Sequence, residues 1–198
     1  MSLPRVAILI SGSGSNMVSL VQAMQGGAVA ADPALVLSNR PEAGGLARAG
    51  TLGVETAVVD HKAYPDREAF EAAMLERLHA AQPDVICLAG FMRILTPGFV
   101  GAWEGRMLNI HPSLLPLFPG LHTHARALEA GMAVHGATVH QVIADLDAGP
   151  IVGQAVIPVE AGDTPQTLAA RLLPVEHRLY PRALDHFLSG DKAPLALL

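Results

Sequence analysis

Asn109 and His111 stand two residues apart at the end of an apolar stretch, in the segment MLNIHPSLLP at 107–116. Asparagine is depleted in strands, and Pro112 cannot extend the hydrogen-bond ladder that precedes it. In an extended segment, side chains two residues apart project to the same side. An amide and an imidazole that converge on one point can donate hydrogen bonds to a developing oxyanion, and the imidazole can exchange protons near neutral pH. The equal alternative is a polar pair that only hydrogen-bonds a loop.

A carboxylate that could serve such a histidine lies in the segment ADLDAGPIV at 144–152, where Asp147 stands shortly before Gly149 and Pro150. The glycine and the proline predict a turn beside a strand, which holds an acidic side chain in a defined place. A carboxylate commonly orients a catalytic histidine and stabilises its cation. Asp145 competes for that role on chemistry alone, and solvation at the surface is the default for either side chain.

A third stretch, LISGSGSNM at 9–17, predicts a strand that runs through a serine- and glycine-rich turn into a helix. Free backbone N–H groups at a helix N-terminus favour a bound anion. Met17 stands where a dinucleotide fingerprint needs its third glycine, and a Walker lysine is missing. The pattern therefore favours a phosphate or carboxylate at this turn over NAD or ATP, with a tight turn that binds nothing as the alternative.

Four further histidines raise the possibility of a metal site: His122, His124, His135 and His140. Their spacing offers no motif of the HExxH type. We expect no metal, and we expect these side chains to lie around a polar pocket.

Short apolar runs alternate with helical patterns along the first half of the chain, which is typical of a parallel α/β sheet. Strands are predicted at Arg5–Ser11, at Ala34–Ser38, at Glu55–Asp60, and in DVICLAG (84–90) and RMLNI (106–110), with helices at Asn16–Gln25, Ala43–Leu52 and Pro65–Gln82. In the second half, the segments AVHGATVHQV (133–142) and PIVGQAVIPV (150–159) are expected to pair antiparallel, before a last helix that Thr164 caps. The sequence predicts a single α/β domain, residues 1–198, with an N-terminal half at 1–105 and a C-terminal half at 106–198.

The glycine-rich turn and the Asn–His pair both follow predicted parallel strands. The carboxyl ends of parallel strands meet at one edge of an open α/β sheet, where ligands bind. A phosphate-binding turn and an acid–base pair at the same edge indicate chemistry on a phosphorylated metabolite.

Composition limits the partners of this chain. Hydrophobic residues make up 51% and charged residues 16%, which is typical of a globular protein. Aromatic residues at 4% and a net charge of −5 argue against a nucleic-acid surface or an anionic membrane surface. The one cysteine excludes an internal disulfide. The apolar run near the N-terminus is too short to span a bilayer and too rich in glycine for a signal peptide, so we expect a cytoplasmic protein.

Seven motifs together resemble those of the phosphoribosylglycinamide formyltransferase family in order and spacing: ISGSGSN, LSNR, LAGFMRIL, GRMLNIHPSLLPLFPGLHTH, HGATVH, LDAGPIV and EHRLYP. The resemblance covers nearly the whole chain. It implies a Rossmann-like single domain whose mostly parallel sheet has flanking helices and an antiparallel C-terminal extension. The implied activity is direct transfer of the formyl group of 10-formyltetrahydrofolate, a co-substrate, to the amine of glycinamide ribonucleotide in purine biosynthesis. The resemblance implies no metal and small-molecule partners only, in a monomer or homodimer.

The resemblance also implies roles for individual residues. Asn109, His111 and Asp147 would form the catalytic trio. Gly14, Ser15 and Asn16 would hold the ribose phosphate, with Glu176 on the ribose hydroxyls. The implied folate-binding residues are Arg67, Met92, Arg93, Ile94, Leu95, Val100, Ala144 and Asp147. Leu173 and Leu117 depart from the family pattern, because relatives often carry a polar or basic residue at these two positions, and these departures bear on phosphate affinity.

Three alternatives remain open from the sequence. Two are sibling activities on the same scaffold, formyltetrahydrofolate hydrolase and methionyl-tRNA formyltransferase. The third belongs to a different class, a folate- or nucleotide-binding protein without turnover. Such an inactive protein is expected to have lost Asn109, His111 or Asp147, and all three are present.

Overall fold

The first strand, β1 (Arg5–Ile10), is buried on both faces. The side chains of Val6, Ile8 and Ile10 pack into one hydrophobic core, and those of Ala7 and Leu9 pack into another. A strand without an exposed face belongs in the middle of a sheet that helices cover on both sides. The computed structural model, which describes residues 2–198, places β1 in that position.

The remaining elements follow in chain order: α1 (Ser15–Gln25), β2 (Asp32–Ser38), α2 (Gly44–Thr51), β3 (Thr56–Val58), a short 3₁₀ helix (His61–Ala63), α3 (Arg67–Ala81), β4 (Val85–Leu88), α4 (Pro97–Ala102), β5 (Met107–His111), α5 (Thr123–Glu129), β6 (Val134–Gln141), β7 (Ile151–Pro158), α6 (Pro165–Ser189) and β8 (Leu195–Leu197).

The eight strands of residues 2–198 form one sheet in the order β3-β2-β1-β4-β5-β6-β7-β8. Strands β1 to β5 pair parallel, β6 runs antiparallel to both β5 and β7, and β8 pairs parallel with β7. The predicted fold class is therefore confirmed, including the antiparallel extension. This topology brings the carboxyl ends of β1, β4 and β5 to one edge of the sheet.

Helix α3 begins later than the sequence pattern predicted. Pro65 was expected at its start, but the helix begins at Arg67, and Asp66 caps it by accepting a hydrogen bond from the Ala69 N–H at 2.8 Å. An aspartate is a strong N-cap because its side chain satisfies an amide that the helix leaves free. Pro65 therefore lies outside the helix.

Several short elements differ from the predictions. The third strand covers only Thr56–Val58, at the edge of the sheet. Helix α4 and strand β8 were not predicted, because six and three residues are too few for a periodic pattern.

Helix α6 begins at Pro165 behind the Thr164 cap, as predicted, and continues through two internal prolines. Within residues 2–198, no helix is both long and apolar enough to cross a membrane.

Candidate active site

Asn109 lies in the middle of β5 and His111 is its last residue. The neighbouring strand β6 places His140 opposite Asn109. The Asn109 Nδ2 lies 3.2 Å from the His140 Nε2. Because β5 and β6 are antiparallel partners, this contact follows from their register. Asn109, inside β5, is therefore oriented by a histidine from the next strand.

The protonation of His140 determines which way the Asn109 amide points. Burial lowers the pKa of His140, so its ring is neutral near pH 7, and its Nδ1 lies 2.9 Å from the Gln141 carbonyl oxygen. A neutral ring that donates from Nδ1 presents a lone pair at Nε2. That lone pair accepts one N–H of the Asn109 amide and leaves the second N–H free for a ligand.

Asp147 lies in the turn between β6 and β7 with a φ of 53°, in the left-handed region that aspartate tolerates better than most side chains. Its Oδ2 accepts a hydrogen bond from the Gly120 N–H at 2.8 Å and lies 3.5 Å from the His111 Nδ1. Asp145, the competing carboxylate, is exposed. The backbone of this turn therefore brings Asp147, and not Asp145, against the imidazole.

Both ring nitrogens of His111 face acceptors. Its Nε2 lies 3.0 Å from the carbonyl oxygen of Phe118, and its Nδ1 faces the Asp147 carboxylate. A ring that carries a proton on each nitrogen satisfies both acceptors. The imidazole is also nearly buried, with 8% of its side chain exposed, so a positive charge placed on it would be weakly screened by solvent.

The loop that supplies Phe118 and Gly120 is fixed by a buried hydroxyl of β6. The Thr138 Oγ1 donates to the Ser113 carbonyl at 2.7 Å and accepts from the Leu115 N–H at 3.0 Å. Thr138 itself is fully buried. The loop after His111 is therefore tied to the same strand that carries His140.

The glycine-rich turn ends in the N-cap of α1, Gly14, whose φ of 69° favours glycine. A Cβ at Gly14 would lie 2.9 Å from the Gly45 Cα of α2, so the close approach of the two backbones also requires glycine here. The cap has no side-chain hydrogen bond, which leaves the first amides of α1, at Ser15 and Asn16, to other acceptors.

A positive charge lies beside this turn. The Arg48 Nη1 of α2 donates to the Ser13 carbonyl at 3.2 Å. The same charge also acts on His177 of α6. Burial lowers the pKa of His177, and repulsion from the Arg48 charge lowers this pKa further. Free helix amides together with a guanidinium are suited to a phosphate group.

Glu176 of α6 closes the other side of the turn. Its carboxylate accepts a hydrogen bond from the Asn16 Nδ2 at 2.8 Å. Burial raises the pKa of the Glu176 carboxyl, and the bond from Asn16 opposes that shift. The structure thus brings Asn16 and Glu176 together across the two predicted halves of the chain.

The predicted folate-binding residues fall into two groups. Most are at least partly exposed: Arg67, Met92, Arg93, Ile94, Leu95 and Ala144. Within residues 2–198, neither Arg67 nor Arg93 makes a side-chain hydrogen bond or ion pair, so both guanidinium groups are available to an anion. Val100 differs, since it lies buried in α4 with 5% exposure.

Two of the four histidines considered as metal ligands, His124 and His135, pack against each other. The rings of His124 and His135 meet edge to face with centroids 5.0 Å apart. Over the described part of the chain, no group of three or more His, Cys, Asp or Glu side chains could hold a metal ion.

His135 makes the fold sensitive to acid. Burial, above all, lowers its pKa from 6.5 to about 4. The unfolded chain therefore binds this proton first, and stability is lost as the pH falls from ~6.5 toward the folded value. We expect the melting temperature of wild type to fall between pH 7 and pH 4.5 by at least ~4 °C more than that of His135→Gln, measured by circular dichroism. Parallel curves would contradict this assignment.

Sequence reasoning did not assign the groups that orient the trio. His140 was expected only around the pocket, and its bond to Asn109 depends on the register of β5 and β6. Phe118 and Gly120 act through backbone atoms, which leave no side-chain signal. Arg48 stands in an ordinary helical pattern, so only the fold shows its contact with the turn.

Comparison with known proteins decides the family. The family model described as "Formyl transferase" matches residues 4–184. The chain belongs to the formyl transferase family. Among its relatives, the Escherichia coli phosphoribosylglycinamide formyltransferase is 44% identical over 93% of this chain and 87% of its own length.

Solved structures and longer relatives agree with that membership. The Brucella melitensis phosphoribosylglycinamide formyltransferase has a TM-score of 0.91 and 54% identity over 96% of this chain and 97% of its own. The Symbiobacterium toebii glycinamide ribonucleotide transformylase 1 has a TM-score of 0.93 and 46% identity over 96% of this chain and 89% of its own. The Bos taurus trifunctional purine biosynthetic protein adenosine-3 is 47% identical over 94% of this chain, which spans only 18% of that protein.

Proposed function

We propose that this protein transfers the formyl group of 10-formyltetrahydrofolate to the amine of glycinamide ribonucleotide, as a phosphoribosylglycinamide formyltransferase. The observation that carries the proposal is the convergence of Asn109, His111 and Asp147 at the carboxyl edge of the sheet, beside a glycine-rich turn suited to phosphate. The relatives named for this activity, of nearly the same length, support it.

The proposed reaction is a direct acyl transfer. The substrate amine attacks the formyl carbon, and the carbonyl oxygen becomes the oxyanion of a tetrahedral intermediate. The free N–H of Asn109 and protonated His111 stabilise that charge in a setting of low solvent exposure. The bond from carbon to N10 of the folate then breaks, and the proton that the amine loses passes to N10. The products are the formylated ribonucleotide and tetrahydrofolate.

Asp147 supports the charged form of His111 throughout this sequence. Its carboxylate faces the His111 Nδ1 and is held in place by the Gly120 N–H. A carboxylate in this position orients the ring and stabilises the imidazolium. It also provides an acceptor for the transferred proton, directly or through water.

The binding roles extend the same proposal. Gly14, Ser15 and Asn16 bind the phosphate through their backbone, Arg48 adds a positive charge, and Glu176 accepts hydrogen bonds from the ribose hydroxyls. The exposed segment from Met92 to Leu95, together with Ala144, Val100 and Asp147, lines the folate site, where Arg67 and Arg93 meet the glutamate tail. Both subsites lie in one domain, and we place the protein in the cytoplasm with small molecules as its partners.

The experiment that tests the activity follows the absorbance of tetrahydrofolate released from a stable 10-formyl donor analogue, with and without glycinamide ribonucleotide. Release that requires the ribonucleotide is the expected result. Release without it would indicate the hydrolase, and no release in either case would favour a binding protein or another acceptor.

Inorganic phosphate tests the anion site separately. We expect it to compete with glycinamide ribonucleotide and not with the folate donor, because it occupies the amides at the start of α1. Arg48→Ala should weaken inhibition by phosphate about threefold to tenfold, the usual range for a charge-assisted contact at a partly exposed site. The measurement is the inhibition constant of phosphate against each substrate.

The matched control for this experiment is Arg77→Ala, which removes the same charge from the exposed surface of α3. Its inhibition constant should stay within about twofold of wild type, since solvent screens an exposed charge that makes no contact with the turn. Competition between phosphate and the folate donor would move the anion site elsewhere.

A further inference from the structure

The segment from Met92 to Leu95 is anchored at both ends by side chains from other elements. At its start, the Met92 N–H donates to the Ser11 Oγ at 2.8 Å. Directly after its end, the Thr96 N–H donates to the Glu71 Oε1 of α3 at 2.8 Å. Between these two points the segment belongs to no helix or strand, so its place depends on these anchors.

Ser11, which follows β1 and contacts the segment after β4, also bonds to the residue that follows β2. Its side chain is buried, with 4% exposure, and its hydroxyl donates to the Asn39 Oδ1 at 2.6 Å. Asn39 follows β2 directly, and its carbonyl lies 2.9 Å from the Nδ1 of His61. One hydroxyl therefore links the carboxyl ends of β2, β1 and β4.

The backbone of Ser11 makes a separate bond. Its N–H donates to the Gly90 carbonyl at 3.1 Å, just beyond β4. Loss of the hydroxyl leaves this bond in place, so the turn that follows Ser11 keeps its position. The anchor of Met92, by contrast, depends on the hydroxyl alone.

We propose that Ser11 is a positioning residue that sets the folate-binding segment at Met92–Leu95 relative to the phosphate-binding turn at Gly14–Asn16. This inference rests on the proposed function, because it takes these two stretches as the two substrate subsites. Direct transfer requires the amine and the formyl carbon to approach within ~3–3.5 Å, so the spacing of the subsites must be fixed. Ser11 is bonded to the segment and continuous in sequence with the turn.

The experiment compares Ser11→Ala with wild type in two measurements. Hydrogen exchange of the Met92 amide, followed without substrate, should become at least about fivefold faster, as expected for the loss of a partly buried hydrogen bond. The KM for the formyl donor should rise about fivefold to tenfold, while the KM for glycinamide ribonucleotide stays within about twofold.

The matched control is Ser38→Ala. Ser38 is fully buried at the end of β2, and among residues 2–198 its hydroxyl bonds only to the backbone of Arg40, at 2.9 and 3.0 Å. The variant therefore loses a buried serine hydroxyl at a neighbouring strand end without touching Met92. We expect both KM values and the Met92 exchange rate to stay within about twofold of wild type.

Unchanged exchange at Met92, or an equal rise of both KM values, would overturn the inference, since a general loss of packing does not distinguish the two substrates. If Ser11→Ala fails to fold, Ser11→Cys fills the space of the hydroxyl with a somewhat larger sulfur that is a weaker acceptor, and the same split in KM is expected at a smaller size. A wild-type protein that transfers no formyl group would contradict the proposed function alone, because the exchange at Met92 is measured without substrate.

Discussion

His111→Ala is expected to lower kcat by at least ~10²-fold, the usual contribution of a positioned general acid or base. The imidazole lies between the Asp147 carboxylate and the Phe118 carbonyl, and its positive charge stabilises the oxyanion in the proposed reaction. Binding of an unreactive folate analogue should stay within about threefold of wild type, because the proposed pterin contacts come from other segments. Steady-state kinetics and calorimetry of the analogue measure the two effects.

His79→Ala is the control for this variant, since it removes an imidazole from the exposed face of α3. Its kcat should stay within about twofold of wild type. A His111→Ala enzyme that keeps activity within about tenfold of wild type would contradict the proposed role of His111. Equal losses in kcat and in analogue binding would instead indicate that His111 shapes the pocket.

The parts of the fold that the sequence predicts well are those with a strong local pattern. The unbroken apolar run of β1 requires burial on both faces, and the structure buries it on both faces. The Asp147 turn follows from its glycine and proline in the same way. These features depend on neighbouring residues alone, so a single sequence is enough to predict them.

The parts that the sequence cannot predict depend on contacts between distant residues. Asn109 and His140 are separated by 31 residues, and only the register of β5 and β6 brings them together. The same site also requires glycine at position 149, because a Cβ there would clash with the Gln141 carbonyl oxygen, the acceptor for His140. Such requirements are set by tertiary packing and leave no periodic pattern.

Asp147→Asn is expected to lower kcat by about 10²- to 10⁴-fold while the KM of each substrate stays within about threefold. The substitution removes the charge that faces the His111 Nδ1, and it turns the second carboxylate oxygen, which lies 3.7 Å from the His140 Nε2, into an amide group of the same size. Asparagine adopts the left-handed backbone of this position as readily as aspartate, and its amide oxygen can still accept the Gly120 N–H. The melting temperature should therefore stay within ~4 °C of wild type.

Asp145→Asn is the sharpest control for this result, because it makes the same change two residues away in the same turn. Asp145 is exposed, so its charge is screened by solvent and its loss should leave kcat within about twofold of wild type. A large loss in Asp145→Asn with little loss in Asp147→Asn would exchange the roles of the two carboxylates. Similar losses in both would show that the net charge of the turn matters more than the contact with His111. Only a loss confined to Asp147→Asn supports a carboxylate that works through the imidazole.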